Sequence, residues 1–260
     1  MNILITNDDG IHAEGLLVLK TALEKVGKVL VVAPDRPRSA CGHSITLHKP
    51  LRAELVKLAD GSNGYASNGT PSDCVSLALL GLAEDNIDLV VSGINRGPNL
   101  GWDLTYSGTV SAAMEGAIAG VQSFAISVAT YAMEVDYSVA AQFSLKIARI
   151  LSNSKLPEST LLNINIPALP ASEIKGVQIT KQGKRRYTGN IEKRSDPSGR
   201  DYYWLGGDLP INSLDEGTDT KAVADDYISV TPVHLDLTDY SALESISSWG
   251  INDISLDSSA

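Results

Sequence analysis

The stretch Ile3-Leu4-Ile5-Thr6-Asn7-Asp8-Asp9-Gly10 decides how the rest of the chain is read. An apolar run with the length and residue types of a buried strand ends in an amide, two adjacent carboxylates and a glycine. The glycine lets the backbone turn sharply before a helical pattern begins near Ala13. Leu16, Leu17, Leu19, Leu23 and Val26 recur at roughly helical spacing, and Gly27 is expected to stop the helix. Lys28 to Ala33 is a second strand, closed by Pro34. Strand, helix and strand in roughly thirty residues form a βαβ unit, which predicts an α/β fold with a mainly parallel sheet. Such sheets place ligands at the C-terminal ends of their strands, where Asp8 and Asp9 fall. Neighbouring carboxylates repel, and a hard divalent cation bound by oxygens is the usual counter-charge. A polar turn capping the next helix is the other reading of the tetrad.

The alternation continues along the chain. The loop from Pro34 to Ser44, containing Ser39, Cys41 and His43, is long for such a connection, and long loops at this sheet edge are often functional. One or two short strands are expected between Ile45 and Val56. Thr70-Pro71-Ser72-Asp73 reads as a helix start, with Thr70 as N-cap, Pro71 in the first position and an acid in the first turn. Cys74 lies in the apolar run that follows and reads as a buried structural thiol. A strand over 87–93 opens into Ile94-Asn95-Arg96-Gly97-Pro98-Asn99-Leu100-Gly101, a loop too rich in Gly and Asn for a simple turn. Tyr106-Ser107-Gly108-Thr109-Val110 leads into a small-residue helix from Ser111 to about Ala119. Such a start can hold an anion on free backbone N–H groups, or can be an ordinary Ser/Thr cap. A strand over 124–128, a helix over 138–151 and a strand over 161–166 complete the body, which Pro167 and Pro170 close.

From Ile174 the character changes. Lys181, Lys184, Arg185, Arg186, Lys193, Arg194 and Arg200 fall among only two acids, Glu192 and Asp196, with Tyr187, Tyr202, Tyr203 and Trp204 close by. The segment reads as a surface for substrate or a partner subunit, or as a solvated hairpin. Residues 227–237 alternate like a strand, and a short helix near 240–249 precedes a polar, acidic tail.

Composition bounds the function. The 260 residues suit one large α/β domain or a main domain with an appendage, and 43% apolar residues are ordinary for a globular core. A formal charge of −10 argues against a general nucleic-acid surface, which neutralises phosphates with basic residues. Two cysteines indicate no disulfide framework and fit a reducing compartment. The sequence shows no targeting segment and no run of the ~18 apolar residues of a membrane span, so a cytoplasmic protein is expected.

Asp8, Asp9, Ser39 and Asn95 together supply carboxylate, hydroxyl and amide oxygens, a set suited to Mg²⁺, Mn²⁺ or Ca²⁺. Zinc is disfavoured, since the four histidines show no ligand spacing with cysteine. A cation beside the helix start at Ser107-Gly108-Thr109 is the arrangement phosphoryl chemistry needs. The adjacent aspartates do not suit the Asp-x-Asp of haloacid-dehalogenase-type phosphatases. A receiver domain would need a later phospho-accepting Asp, where Ser92-Gly93 and Val128-Ala129 stand. No P-loop and no Gly-x-Gly-x-x-Gly follows the first strand.

The segments 3–10, Ala33-Pro34-Asp35-Arg36 with Ser39 and 42–46, Gly69-Thr70-Pro71-Ser72-Asp73-Cys74-Val75, 91–101, 106–110 and Tyr227-Ile228-Ser229-Val230-Thr231-Pro232 resemble, in order, the SurE (survival protein E) family of metal-dependent nucleotidases. The resemblance implies a three-layer Rossmann-like catalytic domain over 1–180, and a C-terminal hairpin, return strand and helix over 181–260 exchanged between subunits of a homodimer or homotetramer. It implies one divalent metal per subunit on Asp8, Asp9, Ser39 and Asn95, with the substrate phosphate at Asn99, Ser107, Gly108 and Thr109. The implied activity is hydrolysis of nucleoside 5′- and 3′-monophosphates, and in some members of short polyphosphate. Asp8 or Asp9 would orient or deprotonate the attacking water, and His43 is a candidate proton donor, or alternatively a loop-stabilising imidazole. A metal-dependent nucleotide sensor without turnover is the competing reading.

Overall fold

The first strand, β1 (Asn2–Thr6), is buried on both faces because two helical layers cover it. Ile3 and Ile5 join the core beneath α1 (Glu14–Leu23), whereas Leu4 points the other way into a second cluster. The computed structural model describes residues 1–187, 189–207 and 211–254; the expected tail from 255 onward lies outside them. Next come β2 (Lys28–Pro34), β3 (Ala53–Lys57) and β4 (Asn63–Ser67), then α2 (Pro71–Leu77), which runs into a π-helical turn over Ala78–Leu82. Strand β5 (Leu89–Arg96), a 3₁₀ turn at Gly101–Thr105, α3 (Gly108–Ile118), β6 (Gln122–Ala129), α4 (Ser138–Leu151) and β7 (Thr160–Pro167) follow. Beyond them lie β8 (Gly176–Ile179), β9 (Arg185–Arg186), β10 (Gly189–Ser195), β11 (Asp201–Gly207), β12 (Ile211–Asn212), α5 (Asp219–Ala224), β13 (Tyr227–His234) and α6 (Leu243–Ser247).

The main sheet has the order β3-β4-β2-β1-β5-β6-β7-β13-β8. Its neighbours are parallel except at β3–β4 and β7–β13. The fold is thus the expected mainly parallel α/β architecture. From β1 the chain winds outward to β2 on one side and to β5 on the other, which makes the end of β1 the topological switch point. Cys74 and Val75 of α2, Ala78 of the π-helical turn and Ala112 of α3 share one cluster with Leu4, and Cys74 is fully buried as expected. Burial pushes the Cys74 thiol up to about 12.

Several boundaries differ from the sequence reading. Helix α1 ends at Leu23, before Gly27. Gly27 serves another purpose, since a Cβ there would run into the Met1 carbonyl oxygen. Only β3 forms between residues 45 and 57, and its partner β4, carrying Gly64 and just five residues long, gave no clear pattern. Strand β5 continues through Asn95 and Arg96, read from sequence as loop, after a register shift between Ser92 and Asn95. Helix α3 begins at Gly108 rather than Ser111, because Ser107 accepts the Val110 N–H and caps it. In the C-terminal region β10 and β11 pair antiparallel, with Ile191 opposite Leu205 and Lys193 opposite Tyr203, and all four side chains exposed. Strand β13 returns to the main sheet between β7 and β8. Among the described residues no helix is long and apolar enough to cross a membrane.

The start of α2 carries the expected cap in full. The Thr70 hydroxyl accepts the Asp73 N–H at 3.1 Å, and the Asp73 carboxylate accepts the Thr70 N–H at 2.8 Å. The same hydroxyl donates to the Ser44 carbonyl at 2.7 Å. Thr70→Ala is expected to lower unfolding free energy by roughly 1–2 kcal/mol in a urea titration, and an unchanged midpoint would refute the capping account.

Candidate functional site

Asn7 and Gly10 close the turn after β1 reciprocally: Asn7 Nδ2 donates to the Gly10 carbonyl at 3.0 Å, and the Gly10 N–H donates to Asn7 Oδ1 at 3.1 Å. This turn holds Asp8 and Asp9 over the switch point. Asp8 is buried, with the start of α3 directly behind it. A Cβ on Gly108 would stand 2.9 Å from Asp8 Cβ and 2.9 Å from Cys41 Sγ, so only glycine lets the helix approach this closely. Thr109 Oγ1 donates to Asp8 Oδ1 at 2.5 Å. Burial, reinforced by the Asp9 charge, pushes Asp8 up to about 6 against the pull of the Thr109 hydrogen bonds. Burial likewise raises Asp9, whose Oδ2 accepts the Arg96 N–H at 3.3 Å. Two desolvated carboxylates side by side with so little compensation are chemically suited to a cation.

Asn95 supplies a third oxygen. Its Nδ2 donates to the Gly97 carbonyl at 2.8 Å, which among the described residues leaves Oδ1 as the free end of the amide. The irregularity in β5 that sets this orientation includes Gly93, at φ +142°, where a Cβ would collide with the Ile126 carbonyl. Ser39 lies on an exposed loop that is tied down on its far side. Thr46 donates to both oxygens of Asp73, from its N–H at 2.8 Å and its hydroxyl at 2.7 Å, and the Gly42 N–H donates to the Tyr106 carbonyl at 3.0 Å. Among the described residues no group of three or more His, Cys, Asp or Glu is placed to hold a metal. The donor set that does converge, two carboxylates, an amide and a hydroxyl, is a hard-oxygen one.

Asp8, Asp9, Ser39, Asn95, Asn99 and Ser107 all line one cleft of about 540 Å³. Asn99 is held by neighbouring amides: its carbonyl accepts from Asn163 Nδ2 at 2.8 Å and Asn165 Nδ2 at 2.9 Å, and its N–H donates to Asn165 Oδ1 at 2.8 Å. Gly108 and Thr109 are not on the cleft wall; they stand behind Asp8, with the Thr109 hydroxyl already committed to it. His43 does not face the cleft either. Its Nε2 lies 2.9 Å from Glu115 Oε2 on α3, and Glu115 Oε1 accepts from Ser76 of α2 at 2.9 Å. The sequence reading did not single out Asp103 or Tyr131, and it named Tyr106 and Tyr187 only as parts of longer segments; all four line the same cleft. They lie far apart in the chain, and no local pattern joins them.

Fold and site together define an α/β protein with oxygen-bearing side chains gathered in a cleft at the switch point of a mainly parallel sheet. Comparison with known proteins identifies its family. Residues 3–189 match the family model described as survival protein SurE. A 5′-nucleotidase SurE of Geobacter sulfurreducens is 51% identical over 252 residues, covering 97% of this chain and 95% of the relative. One from Heliobacterium modesticaldum is 50% identical, over 96% of this chain and 92% of the relative. The crystal structure of the SurE protein from Aquifex aeolicus superposes with a TM-score of 0.80 at 43% identity, over 96% of this chain and 99% of that one. The chain belongs to the SurE family.

The raised Asp8 makes a stability prediction for the metal-free protein. Below about pH 4 Asp8 is protonated folded and unfolded and contributes nothing; as pH rises to about 6 the folded chain retains a proton that the unfolded chain releases, so stability falls. Above that range the penalty is complete, on the order of 3 kcal/mol. Asp8→Asn should therefore stabilise the metal-free protein by roughly 1–3 kcal/mol at pH 8 and much less at pH 4. Equal effects at both pH values would show that Asp8 is not desolvated as described.

Proposed function

We propose that this chain is a metal-dependent 5′-nucleotidase that hydrolyses nucleoside 5′-monophosphates to nucleoside and phosphate, and whose site also admits 3′-monophosphates and short polyphosphate. The observation that carries the reading is the convergence of Asp8, Asp9 and the free Oδ1 of Asn95 on one cleft with Ser107 and Asn99. Asp8, Asp9, Ser39 and Asn95 would hold one divalent cation per subunit, Mg²⁺ or Mn²⁺ by the chemistry of the donors. When bound, such an ion neutralises charge on the phosphate oxygens and makes water more acidic.

The chain's own groups do the rest. Ser107 and Asn99 orient the phosphate on the cleft wall. Gly108 and Thr109 act through the start of α3, which favours negative charge nearby. Asp9, the less buried of the pair, orients the attacking water and takes its proton. The new bond joins that water oxygen to phosphorus, the ester bond to the nucleoside breaks, and the departing oxygen takes a proton from solvent. His43 serves as the anchor of the Ser39 loop through Glu115.

Cytoplasmic placement and a homo-oligomer, dimer or tetramer, belong to the same proposal. The C-terminal segment over 181–260 supplies its assembly surface through β10, β11 and α6. Support comes from the exposed Trp204 and Leu205 on a two-stranded hairpin, and from exposed Leu243, Ile246 and Trp249 near the C-terminus. Isolated hairpins are marginal in water, and contiguous exposed apolar surface marks an interaction site.

The test is phosphate release from a panel of nucleoside monophosphates with Mg²⁺, Mn²⁺ or EDTA. Release that EDTA abolishes and that Asp8→Asn or Asp9→Asn lowers at least about a hundredfold is expected. Binding of nucleotide and metal without release would establish the sensor instead. His43→Ala is expected to keep the shape of the pH–rate profile between pH 5 and 8; loss of a limb there would make His43 the proton donor after all.

A further inference from the structure

Part of the cleft wall is aromatic, and its rings are fixed by one buried ion pair. Arg185 Nη1 donates to Asp103 Oδ2 at 2.8 Å, with both side chains largely out of solvent. Arg185 Nη2 donates to the Tyr131 hydroxyl at 2.8 Å, and the Tyr187 hydroxyl donates to the same Asp103 oxygen at 2.6 Å. Both phenol groups are thus occupied by the protein, while the two residues line the cleft and are 61% and 56% exposed. The Tyr131 ring also lies beside Gly97, with Cε1 3.7 Å from where a Cβ would stand, and Gly97 is the residue whose carbonyl orients Asn95. The rings therefore border directly on the oxygen-donor end of the cleft. Arg185 Cζ lies over one face of the Tyr187 ring, 6.0 Å from its centroid. A pinned hydroxyl and an exposed ring suit a flat partner that stacks, and do not suit one that must be read by hydrogen bonds.

We infer that Tyr131 and Tyr187 are specificity-determining residues that take the base of a nucleoside monophosphate against their rings. The inference rests on the nucleotidase reading for the identity of the phosphate end. It places the phosphate at Ser107 and Asn99 and the base across the cleft, on rings held by Arg185 from the segment after residue 180. Stacking is tolerant of base identity, so purines and pyrimidines are both accepted, with purines favoured by their larger face.

The experiment compares adenosine 5′-monophosphate with ribose 5-phosphate, which keeps the phosphate and sugar and lacks the base. Kinetics are measured for turnover, and dissociation constants by calorimetry. Tyr131→Leu and Tyr187→Leu, each checked for folding by circular dichroism, should lower the ratio of kcat/KM for the nucleotide over ribose 5-phosphate about tenfold, mostly through KM. The ratio of dissociation constants should move by the same factor. Tyr187→Phe keeps the ring and should keep the ratio. An unchanged ratio in the leucine variants, or a loss in the phenylalanine variant as large as in leucine, would overturn the inference. A wild-type chain that hydrolyses neither compound would sink the nucleotidase reading alone, because the calorimetric ratios would still decide the stacking role.

Discussion

The Asp8 carboxylate is pressed out of water between Asp9 and the first turn of α3, and most of the structure is arranged so that it stays there. It sits at the end of β1, whose neighbours diverge and leave a crevice above it. Ile3, Leu4 and Ile5 anchor that strand in two separate apolar clusters, so the turn that follows has a rigid base. Gly108 admits the helix because a Cβ there would stand 2.9 Å from Asp8 Cβ, and among the described residues Thr109 supplies the one side-chain hydrogen bond the carboxylate receives. Burial without a full set of donors raises the energy of the charged form. A fold that selected only for stability would place an apolar or neutral residue at this position.

The same preference for polar residues in dry places recurs beside the cleft. Asn163 and Asn165 are fully buried on β7; Asn163 Nδ2 and both ends of the Asn165 amide bond to the backbone of Asn99, while Ser127 on β6 accepts the Asn99 side chain at 2.8 Å. Inside a parallel sheet these positions would ordinarily be Val or Ile. Here they fix the Pro98–Leu100 backbone, which would otherwise be an unsupported loop. The loop bearing Ser39 is fastened differently, from outside, through Asp73, Thr70 and Glu115. The donors of one cleft thus reach it from two supports: strand ends for Asp8, Asp9 and Asn95, and a tethered loop for Ser39.

How much of this was legible in the sequence follows from which interactions are local. The β1 run, the βαβ alternation, the Thr70 cap and the boundaries of α4 depend on near neighbours, and the sequence showed them. The acidic pair and Asn95 were visible as oxygen-rich ends of apolar runs. The extension of β5 through Asn95 was hidden, because Gly93 reads as a strand terminator and instead makes an irregularity within the strand. The bond from Thr109 to Asp8 spans 101 residues, so nothing local announces that the helix start serves Asp8 before any phosphate. His43 looked available beside Ser39, and only packing shows that α3 offers it Glu115.

The segment after residue 180 looked like an appendage because its composition changes, yet it reaches into the site. Asp219 is fully buried and accepts the Gly101 N–H and the Gly183 N–H, each at 2.8 Å, and Gln182 Nε2 donates to the Gly101 carbonyl at 2.8 Å. Together with Arg185 on Asp103, these bonds clamp the start and the middle of the 3₁₀ turn over 101–105. That turn leads directly into Ser107 and the start of α3, and so into the support of Asp8. A charge as deeply buried as Asp219 persists only with its donors in place, since removing them leaves it unpaired in a dry interior. The order of the C-terminal segment and the position of the α3 start are therefore mechanically linked. Anything that displaced the segment around Gly183–Arg185 would loosen the wall of the cleft and the helix behind the acidic pair at once.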